Sequence, residues 1–498
     1  MAIHRVNNQA IICFALLALT AGCAKNPVTG QRQLMLISDQ QEFSIGEGAD
    51  KEIRQQEGTY LESPALRAYV DSIGNALAKK SERPGIIYHF EILNAPEVNA
   101  FALPGGFVYV TRGMLERLSS EDQLAMVMGH EIGHVAARHG ASRISAMYAL
   151  QYGTLVGAII SPRTFANYND LINIALQVGL SRYSREQERQ ADDLGIAYAA
   201  DSGYRPREAV KVMELLKWME GREPGALEKW FLSHPPASER IADLTRQADR
   251  IEVNKAGSGS RVVRREPYLK QIDGLVVGLY NGAEMVLKDR YYNKELAVSL
   301  SVPGGWDVDL DPNGAVAAFS RKTKERILLE ASPMHVEATA ADIEYRFEET
   351  LKRRGYTRTG GSAATTRQDL PVRVATYKGT TAKAEPVGIY KAFLVHGKRE
   401  WTFTAMCEAG LFAAQRGAYE EVLTGLRFLT GPEAAGLTPP RLRLIKAPAD
   451  TTWGALARQH LDDPEGGERL AFYNGSADGE AVSAGMLVKI PPSLAVKP

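Results

Sequence analysis

His130-Glu131-Ile132-Gly133-His134 decides how this chain is read. Just upstream, Ser119 or Ser120 can cap a helix, with Asp122 or Gln123 three residues on as the capping-box partner, and Gly140 offers a stop. The signals predict a helix of about twenty residues that carries the motif. Four residues of α-helix rotate about 400° and advance about 6 Å. Both imidazoles therefore leave one face, close enough for one tetrahedral Zn²⁺ to take a nitrogen from each. Glu131 is rotated off that axis, where it can hydrogen-bond a water at the metal and act as general base. The competing reading is a helix with two surface histidines.

A catalytic zinc needs a third protein ligand and an open fourth position. The best candidate is Glu188, in Ser184-Arg185-Glu186-Gln187-Glu188-Arg189-Gln190-Ala191-Asp192. Glu188 and Asp192 are one turn apart, so the first can bind metal while the second accepts the N–H of a ligand imidazole. Ala191 between them permits close packing. A solvated, charge-rich helix face is the alternative for this segment. Arg138 and His139 are expected to complement the C-terminal dipole of the motif helix.

The two motifs together resemble gluzincin peptidases of the HtpX and CaaX-prenyl-endopeptidase type. Asn99-Ala100-Phe101-Ala102-Leu103-Pro104-Gly105-Gly106 and Asn26-Pro27-Val28-Thr29-Gly30 are similar to that family's soluble lipoprotein branch. The resemblance covers residues 25–250. It implies one Zn²⁺ per chain bound by His130, His134 and Glu188, with Glu131 as base. Prenylated substrates are not carried over, because the transmembrane helices of the membrane-embedded members are missing from the sequence. Ser233-His234-Pro235-Pro236 followed by Arg240 resembles the family's His-Pro motif. His234 and Arg240 can stabilise the tetrahedral oxyanion, or His234 can fill the fourth zinc position in a closed state. A solvated His beside a helix-starting Pro is the plain alternative. Asn99, Ala100, Phe101 and Ala102 are read as an edge strand that adds an extended substrate by main-chain pairing, or as an ordinary strand. Met147 to Ile160 is read as a buried helical hairpin or a lid over the cleft.

With 498 residues the chain is long enough for about three domains at roughly 150 residues each. Lys+Arg and Asp+Glu both total 59, so no global field holds a polyanion, and nucleic acid is excluded as a partner. Residues 1–22 have the layout of a secretory signal, with an apolar run from Ala10 to Ala21 too short to span a bilayer. The run ends in Thr20-Ala21-Gly22-Cys23, which resembles a bacterial lipobox and implies Cys23 as the lipidation site, with an ordinary cleaved signal and a chance Cys as the alternative. Ala24, rather than Asp, implies the outer membrane. Once Cys13 is removed with the signal and Cys23 is acylated, only Cys407 is left, so no internal disulfide is expected. Cys407 falls on the apolar side of the run Trp401, Phe403, Ala405, and is read as a core thiol.

The expected architecture is multidomain. A mainly α zincin-type metallopeptidase domain with a small β-sheet (residues 23–250) precedes an α+β domain (residues 262–430) and a small α+β module (residues 440–498). Lys255–Ser260 and Gly431–Pro440 are read as linkers. In the last module Asp450-Thr451-Thr452-Trp453, Tyr473-Asn474-Gly475 and Gly485-Met486-Leu487-Val488-Lys489-Ile490-Pro491 resemble a LysM module, with Ala449-Asp450 where Gly-Asp is usual. That likeness makes peptidoglycan a candidate partner. Residues 262–430 are similar to the PsbP-like α+β fold and are assigned no activity. The expected function is a lipid-anchored, periplasmic zinc endopeptidase acting on unfolded or misassembled envelope proteins. The alternatives are a latent protease acting as a chaperone-like assembly factor, and a peptidoglycan-tethered scaffold.

Overall fold

Ser63 accepts a hydrogen bond from the Leu66 N–H and Pro64 fills the first helical position, so the helix Pro64–Ala78 starts where the sequence predicts. Its stripe Leu66, Val70, Ile73 and Leu77 is buried. The computed structural model describes residues 23–152, 172–176, 182–234, 238–254, 262–310, 315–321, 323–334, 336–461, 465–477 and 479–492. The signal segment 1–22, the 255–260 linker, Pro235, Pro236 and most of the Met147–Ile160 run lie outside the described residues. Two units form: one takes the chain up to Val277 together with Arg441–Leu494, the other Gly278–Pro440.

In the first unit a three-stranded sheet lies beside the motif helix. The central strand Phe107–Thr111 pairs parallel with His89–Leu93 and antiparallel with Ala100–Leu103, which is an edge of the sheet. The intervening turn needs Gly105 (φ 84°) and Gly106 (φ 104°), and a Cβ on Gly105 would come within 2.6 Å of the Phe43 backbone. Phe101 and Leu103 pack with Ile45, Phe107, Tyr109, Ile144 and Ile174 in one apolar cluster.

The motif helix spans Glu121–Ala136 and is shorter than the sequence predicts. It stops before Gly140 because Arg138 takes a left-handed φ of 58°, and its guanidinium binds the buried Glu42 at 2.9 Å. Arg83 donates to the Val135 carbonyl and Asn26 to the Ala137 carbonyl, so the exposed end of the ladder is satisfied from outside. Gly140 lies inside the next helix, His139–Tyr152, against Pro104.

The described residues of 441–492 include two strands, two helices and two more strands, with Arg443–Lys446 antiparallel to Leu487–Ile490 and Thr451–Thr452 antiparallel to Ala481–Val482. The sequence reading gives this segment a unit of its own, yet it packs into the first unit, as does the helix Arg265–Ile272. The reason is a set of buried polar contacts between residues far apart in the chain. The Lys489 ammonium, wholly buried, donates to the carbonyls of Glu116 (2.9 Å), Arg117 (3.2 Å) and Leu118 (2.7 Å) at the end of the short helix Arg112–Arg117. Tyr473 donates to Glu116, and Arg265 binds the carbonyls of Ser119 and Asn474. Lys489→Met would leave three carbonyls without donors, at about 1–3 kcal/mol each when buried. We expect the urea midpoint of this unit to fall by an amount corresponding to about 3 kcal/mol or more; an unchanged midpoint would mean the carbonyls find other donors.

The second unit is α+β. Its seven-stranded antiparallel sheet includes Arg326–Pro333, Pro371–Thr380, Pro386–His396 and Arg399–Glu408, with the helices Ala340–Arg353 and Phe412–Thr424. Cys407 is a buried thiol in the cluster with Trp401, Phe403 and Ala405. The expected linker after Leu429 folds instead: Thr430 and Glu433 form a capping box on the helix Gly431–Gly436.

Candidate active site

Two capped helices make the site. Ser120 accepts the Gln123 N–H ahead of Glu121–Ala136, and Ser184 with Gln187 forms a capping box on Arg185–Asp201. Gly129 and Gly133 of the first helix face Gly195 and Ala191 of the second. A Cβ on Gly129 would come within 2.8 Å of the Gly195 carbonyl oxygen, and one on Gly195 within 2.6 Å of the His130 nitrogen. Small residues four apart on both helices thus bring the backbones together, and Glu188 reaches the histidines.

His130 Nε2 and His134 Nε2 approach to 3.1 Å, with Glu188 Oε2 3.7 Å from the first and Glu188 Oε1 3.4 Å from the second. His234 follows the helix Glu228–Ser233, and its Nδ1 lies 3.0 Å from Glu188 Oε1. Donor atoms of His130, His134, Glu188 and His234 all lie within 4.8 Å of one another. Every one of these residues is buried, at most 5% exposed.

Behind the donors sits a second layer. Asp192 Oδ1 is 3.0 Å from His130 Nδ1, and Arg240 holds Asp192 through Nε at 2.8 Å while its Nη1 lies 2.9 Å from Glu188. Arg240, expected beside His234 as a donor to developing charge, is therefore committed to two carboxylates. Burial opposes the charge on Asp192, but Arg240 and His130 outweigh it and bring its pKa down to about 2. Burial likewise opposes ionisation of Glu188, and His234, His134 and Arg240 overcome it, holding the carboxyl well below its usual range. His134 is kept neutral by burial.

Glu131 behaves differently. Burial raises its pKa, with His234 and His130 opposing, and neither carboxylate oxygen has a hydrogen-bond partner among the described residues. His234 Nε2 is also without one and stands 3.6 Å from Glu131 Oε1. Unsatisfied buried polar atoms beside converging imidazoles and a carboxylate are the donor set that zinc takes, so the residues fit that metal.

Three residues near the donors, His139, Gln190 and Tyr183, make contacts that the sequence reading does not give. His139 Nδ1 is 2.9 Å from His134 Nδ1, and Gln190 Oε1 is 2.9 Å from His139 Nε2. Burial lowers the His139 pKa to about 4, so a neutral ring, not a dipole-complementing cation, stands there. Tyr183 stacks on His134 with ring centroids 4.0 Å apart. The edge strand Ala100–Leu103 is buried throughout, with Asn99 paired to Thr111.

The model of peptidase family M48 matches residues 64–248, a span that includes every donor named above. This segment is thus similar to the M48 peptidases. Among curated relatives, the β-barrel assembly-enhancing protease of Escherichia coli (strain K12) is 29% identical over 224 residues, 43% of this chain and 45% of that protein. The mitochondrial metalloendopeptidase OMA1 of Arabidopsis thaliana is 30% identical over 230 residues, 42% and 45% of the two chains. The one from Saccharomyces cerevisiae is 29% identical over 245 residues, 45% of this chain and 68% of that protein. The chain thus spans less than half the length of the Escherichia coli relative. Of solved structures, cyanobacterial PsbP (CyanoP) from Synechocystis is 14% identical, covers 30% of this chain and 98% of that one, and has a TM-score of 0.25, too low to bear on the fold.

Proposed function

We propose that this chain is a zinc-dependent endopeptidase that hydrolyses unfolded or misassembled proteins of the bacterial cell envelope. The observation that carries the reading is the convergence of His130, His134 and Glu188 beside an unpaired, buried Glu131. Bound zinc would polarise the scissile carbonyl and acidify a water. Glu131, whose charge burial destabilises, takes up a proton and hands it to the leaving amine. Asp192 and Arg240 keep His130 aligned. An extended substrate pairs with the edge strand at Asn99–Ala102 once that edge is uncovered, which reads little side-chain identity and suits unfolded chains. The likeness to HtpX and CaaX-type enzymes is carried to the motif residues alone. The expected result is degradation of an unfolded model protein that stops on chelation and returns with Zn²⁺. Cleavage indifferent to chelator would overturn the proposal.

The full burial of His234 favours a second form of the same reading, a latent protease that acts mainly as a chaperone-like assembly factor until it opens. Peptidoglycan tethering through residues 441–492 is supported by two helices set between paired short strands and by LysM-like motifs. Sedimentation of the protein with purified sacculi tests it, and a supernatant that keeps all the protein would overturn it.

Periplasmic residence and an outer-membrane anchor rest on Cys23 and Ala24 in the lipobox-like run. Among the described residues no helix is long and apolar enough to cross a membrane. Cys23→Ala is expected to shift the protein from the membrane to the soluble fraction. Unchanged fractionation with outer membranes would mean that something other than the lipid holds it.

A further inference from the structure

We propose that His139 and Gln190 are positioning residues that keep the proton of His134 on Nδ1 and so leave its Nε2 free for metal. The proposal rests on the metal-site reading above. His134 Nδ1 contacts His139 Nδ1 at 2.9 Å, and His139 Nε2 contacts Gln190 Oε1 at 2.9 Å. Two neutral imidazoles and an amide in series admit two proton orders. In the first, the Gln190 oxygen accepts from His139 Nε2–H, His139 Nδ1 accepts from His134 Nδ1–H, and His134 Nε2 keeps its lone pair. In the second, the Gln190 amide nitrogen donates, every bond reverses, and the His134 proton sits on Nε2. That proton would point at the place where His130 Nε2 (3.1 Å) and Glu188 Oε1 (3.4 Å) converge. Only the first order makes His134 a ligand.

One helix therefore supports both imidazoles. Arg185–Asp201 supplies Glu188 itself, Asp192 for His130, and Gln190 for His134 through His139. The two supports differ in charge, since Asp192 is an anion held by Arg240 and the Gln190–His139 relay is neutral. Gln190 is half-buried and lines a polar cleft of about 800 Å³, so its side chain can be changed without opening the core.

The test is the zinc dissociation constant of the full chain, measured by chelator competition, with thermal unfolding of the metal-free protein as the check on folding. Gln190→Leu and His139→Phe are expected to weaken zinc about 10- to 100-fold, the usual effect of removing such a partner. Gln190→Glu can only accept and should bind zinc at least as tightly as wild type, while Gln190→Lys can only donate and should be as weak as Gln190→Leu. A merely structural role would not separate Glu from Lys at one half-buried position. Wild-type affinity in Gln190→Leu, with metal-free melting unchanged, would overturn the relay, as would a Gln190→Glu variant as weak as Gln190→Leu. A wild-type chain without zinc affinity would overturn the metal-site reading and the relay with it, whereas a zinc-binding wild type with indifferent variants overturns the relay alone.

Discussion

Glu131→Gln is expected to retain stoichiometric zinc and to lose turnover of an unfolded substrate by about 10²- to 10⁴-fold, the range for removing a positioned general base. The amide matches the carboxylate in size, and Glu131 lies beside the donor cluster without being counted in it. Its two oxygens have no hydrogen-bond partner among the described residues, so the exchange breaks no hydrogen bond of the carboxylate and gives up only its charge 3.6 Å from His234 Nε2. Stability should accordingly stay level or rise, because a buried acid that burial disfavours is replaced by a neutral group. Glu188→Ala is the internal control, since removing a ligand leaves an incomplete site and should cost the metal itself. Undiminished proteolysis by zinc-loaded Glu131→Gln would remove Glu131 from the chemistry.

The motif helix and its metal face were legible because cap, period and spacing are local: Ser120, Gln123, His130 and His134 lie within one element. The role of Ala191 was partly legible. Its partner Gly133, and the pair Gly129 and Gly195 one turn away, gain meaning only when the two helices meet. His139 was misread as a dipole partner because what decides its state is burial and Gln190, 51 residues on. The end of the motif helix was missed for a related reason. Nothing local marks Arg138 for a left-handed turn; it is held there by Glu42, 96 residues away. The membership of residues 441–494 in the first unit was hidden further still. Lys489 looks like a surface residue in sequence, and only the carbonyls of residues 116–118 account for burying its ammonium. In the second unit the sequence alternates at Leu296, Val298, Leu300 and Val302, and Val298 and Leu300 are buried, but so is Ser299 between them, which alternation alone does not indicate.

His234→Ala separates two roles by sign. The ring is wholly buried, lies against Trp230 with centroids 4.3 Å apart, and directs Nδ1 at Glu188 and Nε2 toward Glu131. A residue whose task is to stabilise an oxyanion should face the space that the substrate carbonyl enters. This one instead has a donor atom inside the same 4.8 Å cluster as the three ligands. Burial opposes a charge on the ring, while Glu188 and Glu131 favour it and raise the His234 pKa. If His234 is a latch, its removal raises basal cleavage of unfolded protein about tenfold or more, the factor by which closed molecules outnumber open ones. If it is an oxyanion donor, the same change lowers the rate by about 10² to 10³. The geometry favours the rise. Rates for wild type and His234→Ala at equal zinc content decide the matter, and a clear fall would rule out the latch while leaving the metal site intact.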